Sequence, residues 1–308
     1  MKFSCHLPVE KFQERSEFLD GDAIPIMSQA AEDAGFAACA ITDHPAPPAQ
    51  WVNAGGHHAL DPFVGLAFVA AATKHIKLHT NVVVAPYRNP FLMAKLVSTL
   101  DRLSGGRVIM GIGTGYLAAE FDALGVPFEG RGAAVDESIR LMKTIWTGDT
   151  INYSGKTFRA AGISALPRPL QVPHPPIWSG GNSGRAIRRA VELCDGWSPF
   201  PLRAAFSGSV RTESMENIED FREKLDYARR HAAHIGRERD LEICMIPFSL
   251  GLDPSSRPGV AELLDECSAL EALGVSWMTI SLPCRDRSEF VANTAWFGAE
   301  VISHFRRQ

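Results

Sequence analysis

The chain has 308 residues, and its sequence predicts a closed (β/α)8 barrel, the TIM-barrel architecture, with insertion segments. Short apolar runs alternate with longer segments of helical period along almost the whole chain, which implies a parallel sheet. About eight such alternations in a chain of this size favour a closed barrel over an open sheet. No repeat, charge run or low-complexity linker divides the chain, so we expect one domain over residues 1–308.

The strands are predicted from short apolar runs that end at glycine, proline or polar residues. In chain order they are Met1–Leu7, Ala37–Thr42, Ile76–Val84, Arg107–Gly111, Pro176–Ser179, a short strand near Gly196-Trp197, Leu241–Leu250 and Val275–Leu282.

The helices are predicted from apolar residues spaced three and four apart. Asp61 and Pro62 are typical of a helix start, and Gly35 and Gly148 are typical of helix ends. The helices are Ala23–Ala34, one that begins near Pro62, Met93–Leu103, one that carries Val135 to Trp146, Arg185–Cys194, Ile218–Ile235, Val260–Leu273 and Ser288–Phe305.

The strand and helix rhythm lapses between the fourth and fifth predicted strands. Thr150–Arg159, with Gly155 at its turn, predicts a small hairpin, and the proline-rich stretch Pro167–Pro176 follows it. We interpret both as an insertion that crosses the barrel surface.

Composition excludes several classes of protein. The net charge is −4 with both signs interspersed, so nothing favours nucleic-acid binding. Six scattered cysteines without a C-x-x-C pair indicate reduced thiols. The first residues lack the pattern of a secretory signal, and no run approaches the roughly 18 apolar residues of a membrane span. We therefore expect a cytoplasmic protein that does not enter a membrane.

Two glycine-rich clusters follow predicted strands, at the barrel end where active sites form. They are Gly111-Ile112-Gly113-Thr114-Gly115 and Ser179-Gly180-Gly181-Asn182-Ser183. The first lets the backbone approach an anion, although a tight turn explains it equally well, and it lacks the last glycine of the Rossmann fingerprint. In the second, Asn182 or Ser183 can cap a helix whose free amides bind phosphate. The arginines that follow, Arg185, Arg188 and Arg189, fit a solvated face better than a rim for a longer anionic tail.

A third polar cluster, Asp43-His44, follows the second predicted strand. A histidine there can hold or move a proton near a bound ring, and Asp43 could orient it. A histidine with a purely structural role is the more common explanation for a single Asp-His pair.

Aromatic and histidine side chains near the barrel mouth are candidates for a substrate pocket. Trp51, His57 and His58 lie in or beside a glycine-containing loop that could cover the mouth, and Trp197 could stack on a ring or fill the core. A metal site is not expected, because the first strand carries no H-x-H and no carboxylate cluster accompanies the histidines. A serine hydrolase is disfavoured because G-x-S-x-G is absent.

Several motifs in this order resemble the bacterial luciferase-like superfamily, over roughly Met1 to Phe200. They are the run Asn89–Lys95, the run Thr99–Arg107, Gly111–Tyr116, Glu120-Phe121, Arg131-Gly132, Pro175–Ser183 and Asp195-Gly196-Trp197. Within the superfamily, the Thr42-Asp43-His44 strand ending and the compact length look more like the branch that uses the deazaflavin coenzyme F420.

The resemblance implies a set of cofactor-binding residues. The phosphate would be held by Gly113, Thr114 and Gly115 together with Ser179, Gly180, Gly181, Asn182 and Ser183. The ring would lie near Asp43 and His44, behind which the resemblance implies a bulge with a cis or strongly distorted peptide between Asn81 and Val82. Sugar-phosphate dehydrogenases of this branch carry a glutamate where this chain has Tyr116, so we do not expect that activity. Tyr116 can instead hydrogen-bond substrate.

The function that the resemblance implies is hydride transfer between coenzyme F420 and a small organic substrate, with His44 as proton donor or acceptor. An FMNH2-dependent luciferase-like monooxygenase, working with a separate flavin reductase, is an alternative because the same phosphate site serves FMN. A barrel that binds a flavin without turning it over is a second alternative. Relatives usually form dimers through helices near strands two and three, so we expect a homodimer.

Overall fold

The computed structural model describes residues 1–11, 16–253 and 258–306, and its centre is a closed barrel of eight parallel strands. Around the barrel the strands follow the order β1-β10-β9-β8-β7-β4-β3-β2, which confirms the predicted TIM barrel. The strands are β1 (Lys2–His6), β2 (Ala38–Ile41), β3 (Lys77–Val84), β4 (Val108–Gly113), β5 (Ile151–Ser154), β6 (Arg159–Ile163), β7 (Ile177–Gly180), β8 (Gly196–Ser198), β9 (Glu242–Met245) and β10 (Trp277–Ser281). Strands β5 and β6 form a separate antiparallel hairpin.

Three helix ends lie at the signals read from the sequence, those at Asp61-Pro62, Gly35 and Gly148. Asp61 caps one helix by accepting hydrogen bonds from the amides of Phe63 and Val64, and Gly35 ends another at a φ of 94°. The helices are α1 (Ala23–Ala34), α2 (Ala49–Asn53), α3 (Pro62–Ala72), α4 (Pro90–Ser104), α5 (Ala118–Ala123), α6 (Arg131–Thr147), α7 (Gly184–Leu193), α8 (Ala204–Val210), α9 (Ile218–His234), α10 (Phe248–Gly251), α11 (Val260–Ala272), α12 (Arg287–Phe297) and α13 (Ser303–Arg306). A π-helical segment, Gly298–Ile302, joins the last two.

Some predicted boundaries are wrong. Strand β9 ends at Met245 rather than Leu250, because Pro247 cannot continue the ladder and stands instead before α10. Strand β4 extends two residues further than predicted, so Gly113 lies inside it. The short helices α2, α5 and α8 were not predicted, since five to seven residues carry less than two turns of periodic pattern.

The bulge predicted on the third strand is present. The pairing of β3 with β4 shifts register between Thr80 and Val83, and the peptide bond between Asn81 and Val82 is cis. The Val82 side chain lies against two glycines, Gly113 of the adjacent strand β4 and Gly180 of β7, the next strand beyond it. A Cβ added at Gly113 would stand 2.8 Å from Val82 Cγ2, and one added at Gly180 would stand 3.3 Å from Cγ1. Both strands therefore need glycine where the bulge points.

Two apolar clusters hold the fold together. The larger one includes side chains from both the strands and the helices around them, among them Trp146, Phe221 and Phe297. The smaller one joins five barrel strands and contains Ala38, Ile109, Trp178, Cys244 and Trp277. Within the described part of the chain, no helix is both long and apolar enough to cross a membrane.

Candidate functional site

A cavity of about 540 Å³ lies at the carboxyl ends of the barrel strands, where such barrels place their active sites. Both glycine clusters and the Asp43-His44 pair reach it, although they are far apart in sequence. The sequence-predicted site residues that line it are Asp43, His44, His57, Asn81, Val82, Gly113, Thr114, Gly115, Tyr116, Gly180, Gly181 and Ser183.

Five of the sequence-predicted site residues stand outside the cavity wall, namely Ser179, Asn182, Trp51, His58 and Trp197. Asn182 is fully buried, and its side-chain amide donates to the carbonyl oxygens of Phe200 and Glu213. Trp197 is also buried and donates from its indole nitrogen to the Gly181 carbonyl, 2.8 Å away. These two side chains therefore shape the loops behind the cavity.

His44 forms one end of the cavity, and a buried carboxylate orients it. Its Nδ1 stands 3.2 Å from Oε2 of Glu120, a residue with no exposed surface. Burial acts to raise the pKa of Glu120, but hydrogen bonds from His44, from Tyr87 and from the Ala46 amide outweigh it and hold the pKa below the usual range. An ionised carboxylate can only accept. Nδ1 of His44 is therefore the donor, and Nε2 is left as the nitrogen that can exchange a proton.

Tyr87 is the second donor to Glu120, with its hydroxyl 2.7 Å from Oε2. Burial raises the pKa of Tyr87 strongly, and the hydrogen bond and negative charge of Glu120 add to the shift. The tyrosine consequently keeps its proton at any physiological pH and remains a fixed donor. His44, Glu120 and Tyr87 thus form one connected network beside the cavity.

Asp43 does not orient His44, so that expectation is wrong. Its carboxylate accepts two hydrogen bonds from the guanidinium of Arg88, at 2.6 and 3.0 Å, and a third from the amide of Val84. Arg88 also bridges to Asp61 at the start of α3. Asp43 therefore ties β2 to the end of β3 and holds the backbone next to His44 in place.

Aromatic rings surround His44 on its open side. Its ring centroid lies 4.8 Å from Trp51, 5.1 Å from His57 and 5.9 Å from Tyr116. Burial lowers the pKa of His57, and nearby His44 lowers it further. Nδ1 of His57 lies 2.9 Å from the His58 carbonyl, so it donates there. This end of the cavity is consequently walled by flat side chains and by a neutral histidine.

The second glycine cluster offers fewer free amides than expected. The amide of Gly181 donates to Ser198, that of Asn182 to the Thr212 hydroxyl, and that of Gly184 to Glu213. The Ser183 hydroxyl caps α7 by accepting from the Ala186 amide. The amides of Gly181, Asn182, Gly184 and Ala186 are therefore already bonded within the protein, so of the first helical turn Gly184 and Ala186 do not offer the free amides that were expected. The glycines provide space, and positive charge comes from elsewhere.

That charge comes from arginines, which line the same end of the cavity as the two glycine clusters. Arg131 donates to the Gly115 carbonyl at 3.1 Å, and Arg185 and Arg211 also line the cavity. Arg189 also lines the cavity, but it is buried and paired with Asp136. The sequence suggested Arg185 only as a secondary possibility and missed Arg131 and Arg211, because they come from three separate segments.

Glu120 and Tyr87 were not predicted as site residues either. Glu120-Phe121 belongs to the resembling motifs, but it stands 76 positions from His44, and no local spacing rule connects the two. Among the described residues, no cluster of three or more His, Cys, Asp or Glu side chains is arranged to hold a metal ion.

Comparisons with known proteins agree with this architecture. The family model described as luciferase-like monooxygenase matches residues 1–272. A relative, the FMNH(2)-dependent dimethylsulfone monooxygenase of Pseudomonas putida, is 33% identical over 170 residues, which cover 54% of this chain and 44% of the relative. The F420-dependent glucose-6-phosphate dehydrogenase of Gordonia bronchialis is 29% identical over 253 residues, covering 79% of this chain and 68% of that protein.

The fold also matches solved structures. The crystal structure of the monooxygenase RslO1 from Streptomyces bottropensis superposes with a TM-score of 0.77 at 20% identity, covering 99% of this chain and 100% of that one. At this identity the match shows the fold alone. The matched region spans less than half of the sulfone monooxygenase, and relatives of both cofactor types occur.

Proposed function

We propose that this chain, which belongs to the luciferase-like monooxygenase family, is an oxidoreductase that transfers hydride between coenzyme F420 and a small organic substrate. His44 is its proton donor or acceptor. Asp43 fixes the backbone at His44, and Tyr116 and His57 line the space for the substrate. Trp51 and His58 complete the loop that covers this space, and Trp197 supports it from behind.

One observation carries the proposal. A single cavity has a histidine with a buried carboxylate partner at one end and incompletely neutralised positive charge at the other. The residues fit a flavin or deazaflavin, because the wall between these ends is kept clear of side chains. Gly115 has a φ of 71°, and a Cβ added to it would stand 2.7 Å from Val84 Cγ1. Only glycine is tolerated there.

The residues that would hold the cofactor lie along this wall. They are Asn81, Val82, Gly113, Thr114, Gly115, Gly180, Gly181 and Ser183, with Ser179 and Asn182 directly behind. When bound, the deazaflavin supplies a two-electron hydride carrier, and reduced FMN would supply oxygen activation instead. The protein positions the substrate against it and manages the proton.

His44 and His57 have different roles toward the proton that the reaction takes up or releases. Because Nδ1 of His44 is fixed on Glu120, only Nε2 changes its protonation, and the imidazole cannot turn away from the cavity. The carboxylate also stabilises the positive charge that His44 carries when it is protonated. Nearby His57 stays neutral and can accept a hydrogen bond through Nε2. This hydrogen bond positions a substrate hydroxyl.

The second candidate is an FMNH2-dependent monooxygenase that receives reduced flavin from a separate reductase. The 33% identity to a sulfone monooxygenase supports it, and the glycine-lined wall accommodates FMN as well. A flavin-binding barrel without turnover is the third reading, and the fixed His44–Glu120 pair argues against it, since pure binding does not need a positioned proton donor.

An activity assay separates these readings. Purified protein is mixed without oxygen with coenzyme F420 and a panel of small alcohols, or with reduced F420 and activated alkenes, and the coenzyme spectrum is followed. We expect exchange of reducing equivalents with at least one substrate class. Product formation only in the presence of oxygen, FMN and a flavin reductase would contradict this and support the monooxygenase. Tight cofactor binding without turnover in either assay would support the binding protein.

We also propose a homodimer. Helices α3 and α4 leave large apolar side chains exposed, including Val64 at 61%, Phe68 at 50% and Leu92 at 66% of their surface. A contiguous exposed apolar face of this kind marks a protein interface. Light scattering should give twice the chain mass for the wild type, and a monomer for a variant with Val64→Lys and Phe68→Glu. The six buried free cysteines fit the cytoplasm, which we propose as the compartment.

A further inference from the structure

We infer that Arg131, Arg185 and Arg211 form a second anion-binding subsite, which takes an acidic chain that extends beyond the cofactor phosphate. This inference rests on the proposed function and narrows it, because it distinguishes coenzyme F420 from FMN. Both cofactors carry a phosphate. In FMN the phosphate is the end of the molecule, whereas in F420 it is a diester that continues into a chain of carboxylates.

The three guanidinium groups stand close together although they come from different segments. The Arg131 Cζ lies 3.9 Å and the Arg211 Cζ lies 4.6 Å from the centroid of one ring, that of Phe128. The Arg185 guanidinium lies beside Gly132, the residue that follows Arg131. A Cβ added at Gly132 would stand 3.1 Å from the Arg185 Cζ. Phe128 therefore gathers two cations by cation–π contact, and the backbone at Gly132 borders the third.

These cations are poorly neutralised within the protein. Arg185 is 60% exposed and pairs with Asp136 only at 3.9 Å, and Asp136 is already held by Arg189. The exposed carboxylate of Glu129 also borders the cavity. Burial lowers the pKa of Arg131, and the charges of Arg211 and Arg185 lower it further, against an opposing effect of Glu129. Within the described residues, the balance of charge at this point is positive.

The other carboxylate near this end is occupied elsewhere. Glu213 accepts from Lys224 at 2.7 Å and from the Gly184 amide at 3.3 Å. It therefore neutralises a lysine on α9. Three arginines remain against Glu129 and a shared Asp136, which leaves net positive charge for a ligand.

The backbone at these positions makes the arrangement costly without an anion. Arg131 begins α6 and Arg185 lies in the first turn of α7, where the helix dipole disfavours a cation. Arg211 has a φ of 52°, a left-handed conformation that favours glycine. Three cations therefore stand where the local backbone does not stabilise them. A bound polyanion would stabilise the charge of all three side chains.

The subsite adjoins the phosphate end of the cavity. Arg131 is bonded to the carbonyl of Gly115, and Thr212, which follows Arg211, accepts the Asn182 amide at 3.0 Å. His44 lines the part of the cavity beside Tyr116, with the two ring centroids 5.9 Å apart. An acidic chain that leaves the phosphate thus meets the arginines immediately, whereas a substrate beside His44 does not need them.

The test compares two deazaflavin ligands, coenzyme F420 and its 5′-mononucleotide, which ends at the phosphate. Each is titrated into the wild type and into a variant carrying Arg185→Gln and Arg211→Asn, with asparagine chosen because it tolerates a left-handed backbone. We expect the wild type to bind F420 about tenfold more tightly than the mononucleotide, since exposed ion pairs contribute modestly. The variant should lose this preference and keep its affinity for the mononucleotide.

Arg188→Gln provides the matched control. It removes the same charge one turn along α7, where Arg188 is exposed, contacts Tyr227 and does not line the cavity. Its preference for F420 over the mononucleotide should equal that of the wild type. Higher salt should weaken F420 binding more than mononucleotide binding in the wild type alone.

Two results would overturn the inference. If the double variant binds both ligands more weakly by the same factor, the arginines hold the phosphate itself. If both affinities and the preference for F420 stay unchanged, the arginines hold neither the phosphate nor the acidic chain. The single variant Arg185→Gln, an exposed side chain, repeats the measurement should the double variant fail to fold. If neither deazaflavin binds the wild type, the proposed function is wrong. That result is distinguishable from failure of the subsite, in which the wild type binds both ligands without the expected preference.

Discussion

The two ends of the cavity treat charge in opposite ways. At the His44 end, each charged group is buried and held by fixed partners: Glu120 accepts three hydrogen bonds, and Asp43 is clamped by Arg88. At the arginine end, Arg185 and Arg211 are exposed, and Arg185 meets a carboxylate, that of Asp136, only at 3.9 Å. The first arrangement suits a proton that must move at a defined atom. The second suits a charge that arrives with a ligand.

This difference indicates which substitutions should change turnover and which should change ligand affinity. Groups that are already satisfied by the protein stabilise one geometry, so altering them should change turnover rather than affinity. Groups that await a partner contribute mainly when the ligand binds, so altering them should change affinity and its dependence on salt. The predictions below test this division, beginning with the largest expected effect.

Replacing His44 should have the largest effect. His44→Ala should slow turnover by about 10²- to 10⁴-fold, the usual contribution of a positioned acid or base, and should change cofactor affinity by less than about threefold. Steady-state kinetics and cofactor titration measure the two quantities. The exposed His75→Ala is the control and should leave both unchanged. Turnover in His44→Ala equal to that of the wild type would remove the assigned role.

Neutralising Glu120 should have the next largest effect. Glu120→Gln keeps the shape of the side chain but removes the charge that fixes His44, so we expect turnover to fall about 10- to 100-fold with KM nearly constant. Asp122→Asn, the same chemical change at an exposed position on α5, should have no effect. A large rise in KM with unchanged kcat would mean that Glu120 shapes the pocket instead of holding the proton donor.

The bulge on β3 allows a paired test of the wall. Gly113→Ala places a Cβ 2.8 Å from Val82 Cγ2, which is closer than real contacts permit, so the valine side chain, which lines the cavity, must shift. We expect cofactor affinity to fall about tenfold. Val82→Ala combined with Gly113→Ala should recover most of it, because the double variant removes the clash. If the double variant does not recover cofactor affinity, the backbone conformation at Gly113, and not the clash with Val82, requires the glycine.

The smallest expected effect concerns stability and pH. The pKa of Glu120 is held below its ordinary value of 4.5, so its charge stabilises the fold above that pH, and this stabilisation is lost as the pH falls through the lowered pKa. Urea unfolding of the wild type and Glu120→Gln should therefore give a difference in free energy that is constant from pH 6 to 7. The difference should shrink as the pH falls below about 4.5. A difference that grows in acid would contradict the assigned ionisation.

Much of the fold could be predicted because it depends on patterns within single segments. Alternating apolar runs located all eight barrel strands, and the Asp61-Pro62 signal located the start of α3. The bulge at Asn81 and Val82 followed from the family resemblance. Strand ends were less certain where a proline such as Pro247 competes with an apolar run, since side-chain pattern and backbone geometry then conflict.

The site could be predicted only in outline. Both glycine clusters and His44 do reach one cavity, as their positions at strand ends implied. The charged partners could not be foreseen, because Glu120, Arg88 and Arg211 come from separate loops and helices. Asp43 was assigned to His44 since the two are adjacent in sequence. In a strand end, however, neighbouring side chains point to opposite sides, so the partner of each came from elsewhere.

Titration of the purified protein with coenzyme F420 and with FMN in parallel, at the same pH and salt and followed by ligand fluorescence, tests the assigned cofactor most directly. A cavity with three incompletely neutralised arginines at one end and a fixed proton donor at the other predicts saturable binding of F420 in the micromolar range, with FMN at least tenfold weaker. Tighter binding of FMN, or no saturable binding of either, would contradict it.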